Sequence, residues 1–171
     1  MIKFEKVSWE EYKKATEELC SNRLVDIDYE GLKQEWENIK LPVRATKDSA
    51  GYDFYAPGIM NFYPSAMPAI TYPTGIRFIT DREDIFLMCV PRSGLGCKKG
   101  LRLWNTVGII DSAYWKSDNE GHIKVKMSVN NPITIKPGQA FMQGIILPFL
   151  KVDNDNTTAE RNGGFGSTDR K

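Results

Sequence analysis

Apolar residues recur with two different periods along this chain, and the period changes near residue 41. At the N-terminus Ile2, Phe4 and Val7 stand out from Lys and Glu, the pattern of a short strand over Met1–Val7. Ser8 follows and opens Ser8-Trp9-Glu10-Glu11, a capping-box pattern that predicts a helix to about Cys20. Asp28 is placed to cap a second helical stretch, in which Leu32, Trp36 and Ile39 fall at helical spacing. Beyond Leu41 that period is lost. Pro and Gly recur at short intervals, in Ala56-Pro57-Gly58, Tyr63-Pro64, Tyr72-Pro73-Thr74-Gly75 and Lys136-Pro137-Gly138. Between these turn signals lie short runs rich in Ile, Val, Phe and Tyr. Short strands separated by turns predict an all-β sandwich or barrel, with helices confined to the first 40 residues. No internal repeat is visible.

Composition narrows the function classes. A chain of 171 residues suits one domain with a proper core. Its 23 basic and 22 acidic residues leave no global field that would draw it to nucleic acid or to a membrane, so direct nucleic-acid binding is not expected. An anionic ligand must be held by a local cluster. Cys20, Cys89 and Cys97 have no C-x-x-C spacing, and their odd number argues against a disulfide framework. Cys89 sits in an apolar run and reads as a buried thiol. No run has the length of a membrane span and none reads as a signal peptide, so the expected location is a reducing cytoplasm. His122 is the single histidine, which leaves little room for His-based metal sites or Ser/His/Asp triads.

Four segments carry candidate chemistry. Ala50-Gly51-Tyr52-Asp53 places a carboxylate just after a glycine. Pro91-Arg92-Ser93-Gly94-Leu95-Gly96 leaves the apolar run Ile85–Val90. An Arg and a Ser hydroxyl beside two glycines can cradle phosphate, although the same string reads as a plain turn. Asn105 to Tyr114 contains an apolar strand interrupted by Asp111, a costly place for a carboxylate without a partner; taken alone, it reads as a hairpin with Asp111 in the turn. Arg161-Asn162-Gly163-Gly164-Phe165-Gly166-Ser167-Thr168 sets one aromatic ring among glycines and phosphate-bonding side chains in a polar tail. It reads either as a disordered terminus or as a base-stacking lid.

In this order, and with Gly138–Gln143 as the fourth, these segments resemble the five motifs of the trimeric dUTP nucleotidohydrolases, over about residues 41–168. Leu41-Pro42-Val43-Arg44-Ala45-Thr46 looks like that family's lead-in to its first motif. Pro73-Thr74-Gly75-Ile76 matches the strand before the second, and Lys136-Pro137-Gly138 the turn before the fourth.

The resemblance implies a jelly-roll-like β fold with a two-helix N-terminal insertion, assembled as a homotrimer. It implies a body over 1–152 with the helical insertion at 8–40, and a C-terminal arm over 153–171. The implied reaction is Mg²⁺-dependent hydrolysis of dUTP to dUMP and pyrophosphate. Asp111 matches the aspartate that activates the attacking water, and Asp53 the residue that holds Mg²⁺ through water. Arg92, Ser93, Gly94 and Gln143 match the phosphate-binding positions. Asn105 and the backbone around Gly108 and Ile110 match the groups that read uracil, with Lys124 contributing from the next strand. Tyr114 matches the residue against the deoxyribose. Arg161, Phe165, Gly166, Ser167 and Thr168 match the fifth motif, which closes over the nucleotide.

The chain departs from the family pattern in five places. Gln139-Ala140 stands where Asp-Arg is usual, and Ala113 where Asp or a small polar residue is common. Trp115–Glu120 lengthens the hairpin before Gly121. The fifth motif is one residue shorter before Phe165. The helical stretch from Ser8 to Lys40 has no counterpart in the minimal family, and is expected to be peripheral to the chemistry or to dock a partner protein. Two rival functions follow. One is the dCTP deaminase branch of the same fold, whose proton-shuttling glutamate is missing from Val125–Asn130. The other is a regulatory binding protein built on the same trimer.

Overall fold

A computed structural model describes residues 1–21, 26–64 and 69–158; among them the chain forms eleven strands, three α-helices and one 3-10 turn. β1 (Ile2–Lys6) is followed by α1 (Trp9–Ser21) and α2 (Tyr29–Glu37). Then come β2 (Val43–Arg44), β3 (Gly51–Tyr55), β4 (Met60–Phe62), β5 (Ile70–Thr80) and β6 (Ile85–Pro91). α3 (Ser93–Lys99), β7 (Arg102–Leu103), β8 (Gly108–Asp111) and the 3-10 turn Tyr114–Lys116 precede β9 (His122–Ser128), β10 (Ile133–Ile135) and β11 (Ala140–Pro148). The chain is mostly β, as its turn spacing predicts.

The strands form a four-stranded sheet in the order β1-β5-β9-β7 and a five-stranded sheet in the order β2-β3-β11-β6-β8. β10 and β4 form a separate pair, and every pairing is antiparallel. The two larger sheets share one core. Phe4 of β1 reaches Phe54 of the other sheet, 5.6 Å between ring centroids, and Phe78 of its own at 5.7 Å. Leu87, Phe141, Met142, Ile123 and Met127 complete that interior, each essentially buried. Alternation decides which residues go in: along β9, Ile123, Val125 and Met127 are buried while Lys126 is exposed.

The helical pair packs on β5. Asp28 accepts from the Gly31 N–H at 3.1 Å and caps α2 as predicted. Ser8 Oγ accepts from the Glu11 N–H at 3.1 Å. The reciprocal half of the capping box is absent: the Ser8 N–H donates to Glu120 Oε2 at 2.9 Å, and the Glu11 carboxylate turns inward. Trp36 Nε1 donates to the Val7 carbonyl at 3.0 Å, tying α2 to the end of β1.

Two local expectations are corrected. Tyr72-Pro73-Thr74-Gly75 reads as a turn by composition but lies inside the eleven-residue β5, as the family resemblance of Pro73-Thr74-Gly75-Ile76 to a strand implies. Pairing with β9 jumps there from Pro73↔Lys124 to Arg77↔His122. Pro73 has no N–H to give the ladder, and Gly75 takes φ +70, so the strand bulges and continues instead of reversing. Helices also extend beyond residue 40, because Arg92 opens α3 rather than a turn. Its carbonyl accepts from the Leu95 and Gly96 N–H groups at 3.0 and 2.8 Å, and Gly100 at φ +66 closes the helix. Lys98-Lys99-Gly100 is the C-terminal signal that announces this helix in the sequence. Among the described residues no helix is long and apolar enough to cross a membrane.

Candidate active site

The predicted site residues fall into two groups along β6, with Asp111 at the end of the strand away from Arg92. The first is built where three strands of one sheet run side by side. Asp53 on β3 lies directly opposite Gln143 on β11, and Gln143 lies opposite Val90 on β6. Two residues past Val90 the chain reaches Arg92, whose N–H donates to the Phe141 carbonyl at 3.1 Å. That bond turns the Arg92 side chain back over β3, and its Nε sits 3.2 Å from Asp53 Oδ1. The Asp53 carboxylate is largely buried while the guanidinium is half exposed, so the remaining donors of Arg92 face outward. Ser93 and Gly94 stand exposed beside it in the first turn of α3, and a Cβ on Gly94 would meet nothing within 4 Å. Beside Gly51 lies the Gln143 side chain, whose Oε1 would be 2.3 Å from a Cβ placed there. The group therefore combines an acceptor, an Arg fork, a hydroxyl and an amide around an open edge, which suits an oxyanion chain.

The second group surrounds a cavity of about 70 Å³ between β8 and β9. Asn105, Gly108, Ile110 and Lys124, all read from the sequence as base-reading residues, line it. Cys89 also lines it, and burial pushes its thiol up to about 12, so it presents a neutral S–H at pH 7. Gly108 lets β8 run close to β6: a Cβ there would lie 3.1 Å from Cys89 Cβ, a tight contact. Thr106, next to Asn105, holds φ +70, an unusual conformation for a β-branched residue. The Thr106 N–H donates to the Leu103 carbonyl at 3.0 Å and the Val107 N–H to the Asn105 carbonyl at 2.8 Å. These two bonds hold the Asn105 turn tightly against the pocket. Cys89 is the buried thiol that the sequence predicts, but its place beside the cavity depends on the strand next to it, and the Thr106 backbone angle is one that no residue type announces.

Asp111 ends β8, half-buried and opposite Phe86 of β6, so the sequence alternative that put it in the turn is corrected to a strand end. Tyr114 follows in the 3-10 turn. Its ring is buried, its hydroxyl donates to the His122 carbonyl at 3.3 Å, and it accepts from Asn119 Nδ2 at 2.8 Å. It is not among the side chains lining the cavity. Burial raises the Tyr114 hydroxyl above its usual value. Arg161, Phe165, Gly166, Ser167 and Thr168 lie outside the described residues.

A sequence profile of the dUTPase family matches residues 37–169. This chain belongs to the dUTPase family. A deoxyuridine 5'-triphosphate nucleotidohydrolase of Lactococcus lactis is 39% identical over 135 residues, covering 76% of this chain and 88% of its own length. One from Neisseria meningitidis serogroup A is 36% identical over 137 residues, covering 75% and 87%. The crystal structure of a dUTPase from Streptococcus mutans superposes with a TM-score of 0.59 at 34% identity, covering 67% of this chain and 89% of that one. A dUTPase from phage phi11 of S. aureus, described for the coordination of a structural Mg(II) ion, shares the fold with a TM-score of 0.58 at 18% identity, over 72% and 92%. The dUTPase match begins at Glu37, the last residue of α2. β1, α1 and nearly all of α2 therefore lie outside what the family profile describes.

Among the described residues no three His, Cys, Asp or Glu side chains converge as a metal cage. The donor set at the dUTPase edge is a single carboxylate, Asp53, beside Arg92 and an exposed hydroxyl. That suits Mg²⁺, which keeps several waters and is commonly held by one or two carboxylates plus substrate phosphates.

Proposed function

We propose that this protein hydrolyses dUTP to dUMP and pyrophosphate, with Asp111 activating the attacking water and Asp53 holding Mg²⁺ through water. The observation that carries this reading is the division of labour between the two groups. The cavity of about 70 Å³ is large enough only for something flat and small, and Asn105 with strand backbone lines it, as recognition of a pyrimidine edge requires. The Arg92–Ser93–Gln143 edge suits a phosphate chain. Mg²⁺ bound there supplies charge neutralisation on the phosphate oxygens. Arg92 orients the same oxygens, and Gln143 adds an uncharged donor. Asp111, at the end of the strand that lines the base cavity, accepts the proton of water attacking the α-phosphate. No covalent nucleophile is called for.

We also propose that the working unit is a homotrimer. Asp111 lies opposite Phe86 at the start of β6, and Arg92 follows its end, so their backbones are separated by six strand residues, roughly 20 Å. A nucleotide spanning both chemistries is served better by Arg92 of one subunit and Asp111 of the next. Val43, Trp104, Ile109 and Leu150 stand exposed and offer apolar surface for such contacts. The arm over 153–171 then carries the fifth motif to a neighbouring site. The free Cys20, Cys89 and Cys97 suit a reducing cytoplasm.

The dCTP deaminase reading needs a carboxylate in the strand after the third motif, and β9 runs His122-Ile123-Lys124-Val125-Lys126-Met127-Ser128 without one. The test is incubation of purified protein with each deoxynucleoside triphosphate and Mg²⁺, following pyrophosphate and ammonia. Pyrophosphate from dUTP alone is expected; ammonia from dCTP would overturn the assignment.

A further inference from the structure

The helices α1 and α2 lie outside the region that the family profile describes, and the sequence makes them peripheral. Their contacts point elsewhere. Ser8, at the start of α1, gives both its N–H and its hydroxyl to the carboxylate of Glu120, in the lengthened hairpin before β9. One turn along, Glu11 Oε1 lies 3.0 Å from His122 Nδ1. Two turns further, Glu18 Oε2 lies 3.0 Å from Lys124 Nζ, which also approaches Glu11 at 4.0 Å. Ser8, Glu11 and Glu18, the first as a donor and the other two as acceptors, thus meet Glu120, His122 and Lys124 in turn. The two departures from the family pattern, added helix and longer hairpin, form one joint.

His122 is the centre of that joint. Its ring is fully buried, and its Nε2 accepts from the Gly75 N–H at 2.9 Å. A backbone N–H can only donate, so the ring proton is on Nδ1 and points at Glu11. The same residue's carbonyl accepts from the Tyr114 hydroxyl, and its N–H donates to the Asn119 carbonyl at 2.9 Å. A displacement of the His122 backbone, which its buried ring anchors to Glu11, therefore reaches Tyr114, three residues after Asp111. Lys124, two residues further, lines the base cavity.

We propose that Glu11 of α1 is a positioning residue for the pyrimidine-reading hairpin, acting through His122 on Tyr114 and together with Glu18 on Lys124. This rests on the assignment of that hairpin to the base of dUTP. The helical pair then belongs to substrate recognition in this chain: it sets the shape of the cavity without touching the nucleotide.

Steady-state kinetics of the intact protein tests this with Glu11→Ala, Glu11→Gln and the exposed-pair variant Glu18→Ala, beside Asn105→Ala in the pocket itself. Glu11→Ala is expected to raise KM for dUTP about tenfold, as small misplacement of a binding group does, with kcat within about twofold. It is also expected to lower the preference for dUTP over dCTP. Glu11→Gln, whose amide oxygen still accepts from Nδ1, is expected to restore KM. Glu18→Ala leaves the buried joint intact and is expected to shift KM in the same direction by a smaller factor. If Glu11→Ala does not fold, the Glu18→Ala result decides: unchanged KM and unchanged preference overturn the proposal. A folded Glu11→Ala protein with wild-type KM and preference, or one that loses kcat alone, overturns it too. Asn105→Ala keeps the two failures apart. If it leaves KM unchanged, the pocket assignment is wrong; if it raises KM while Glu11→Ala does not, only the positioning role is wrong.

Discussion

Asp111 and Arg92 are held at opposite ends of β6, the first opposite Phe86 and the second just beyond Pro91. The proposed sharing of sites between subunits predicts complementation. Asp111→Asn and Arg92→Ala homotrimers are each expected to be nearly inactive. Trimers reassembled from an equal mixture are expected to regain a clear fraction of wild-type turnover, because some interfaces pair an intact Asp111 with an intact Arg92. Mixed assemblies as inactive as their parents would mean that each chain supplies its whole site. Light scattering should return a trimer at micromolar concentration.

Asp111→Asn is expected to bind dUTP normally and to lose roughly 10²–10⁴ in kcat, the usual loss for a general base. The amide keeps the size of the side chain but cannot take a proton from water. Equilibrium binding of a non-hydrolysable analogue, measured beside single-turnover hydrolysis, separates the two effects. Near wild-type turnover would remove Asp111 from the role of base.

Stability is expected to fall on mild acidification, and His122 is the reason. Burial, the largest influence, holds its imidazole below the ordinary value, against the opposing pull of Glu11. The unfolded chain therefore takes up a proton near pH 6.5 that the folded protein refuses, and the loss begins there and grows until the lower folded value is reached. The slope contributed by one such group approaches about 1.4 kcal/mol per pH unit. Glu35 acts in the opposite sense: burial raises its carboxyl, so it favours the folded state as pH falls toward the ordinary carboxylate range. Thermal melting from pH 7.5 to 5.5 should show Tm dropping below about pH 6.5. The drop should flatten in His122→Asn, and a wild-type Tm that is level across this range would contradict the assignment.

Truncation from Asn156, or Phe165→Ala, is expected to lower kcat/KM for dUTP while assembly and Tm stay unchanged. Stacking of a base on an aromatic ring is worth about 1–3 kcal/mol, so Phe165→Ala should cost roughly tenfold to a hundredfold. Full activity of the truncated protein would leave the segment without a catalytic part.

Much of this molecule is legible in its sequence because the relevant physics is local. The strand at Ile2–Lys6, the Ser8 and Asp28 caps and the Lys136-Pro137-Gly138 turn depend on neighbours within a few residues, and each appears where the sequence puts it. The motifs are legible for the same reason: Arg92-Ser93-Gly94 and Asn105 to Asp111 are contiguous strings, so their grouping survives without coordinates. Tertiary structure decided the rest. Tyr72-Pro73-Thr74-Gly75 has the residues of a turn, yet β9, paired at Pro73 and again at Arg77, and β1, paired from Ile76 onward, carry the chain through it as a bulge. Glu11 has the spacing of a local cap, yet its carboxylate serves His122, 111 residues away, because a buried imidazole N–H must find an acceptor and the helix axis brings that one to it. Periodicity records which face of an element is buried. It does not record which element lies across the interface, and partners far apart in the chain meet only once every strand has taken its place.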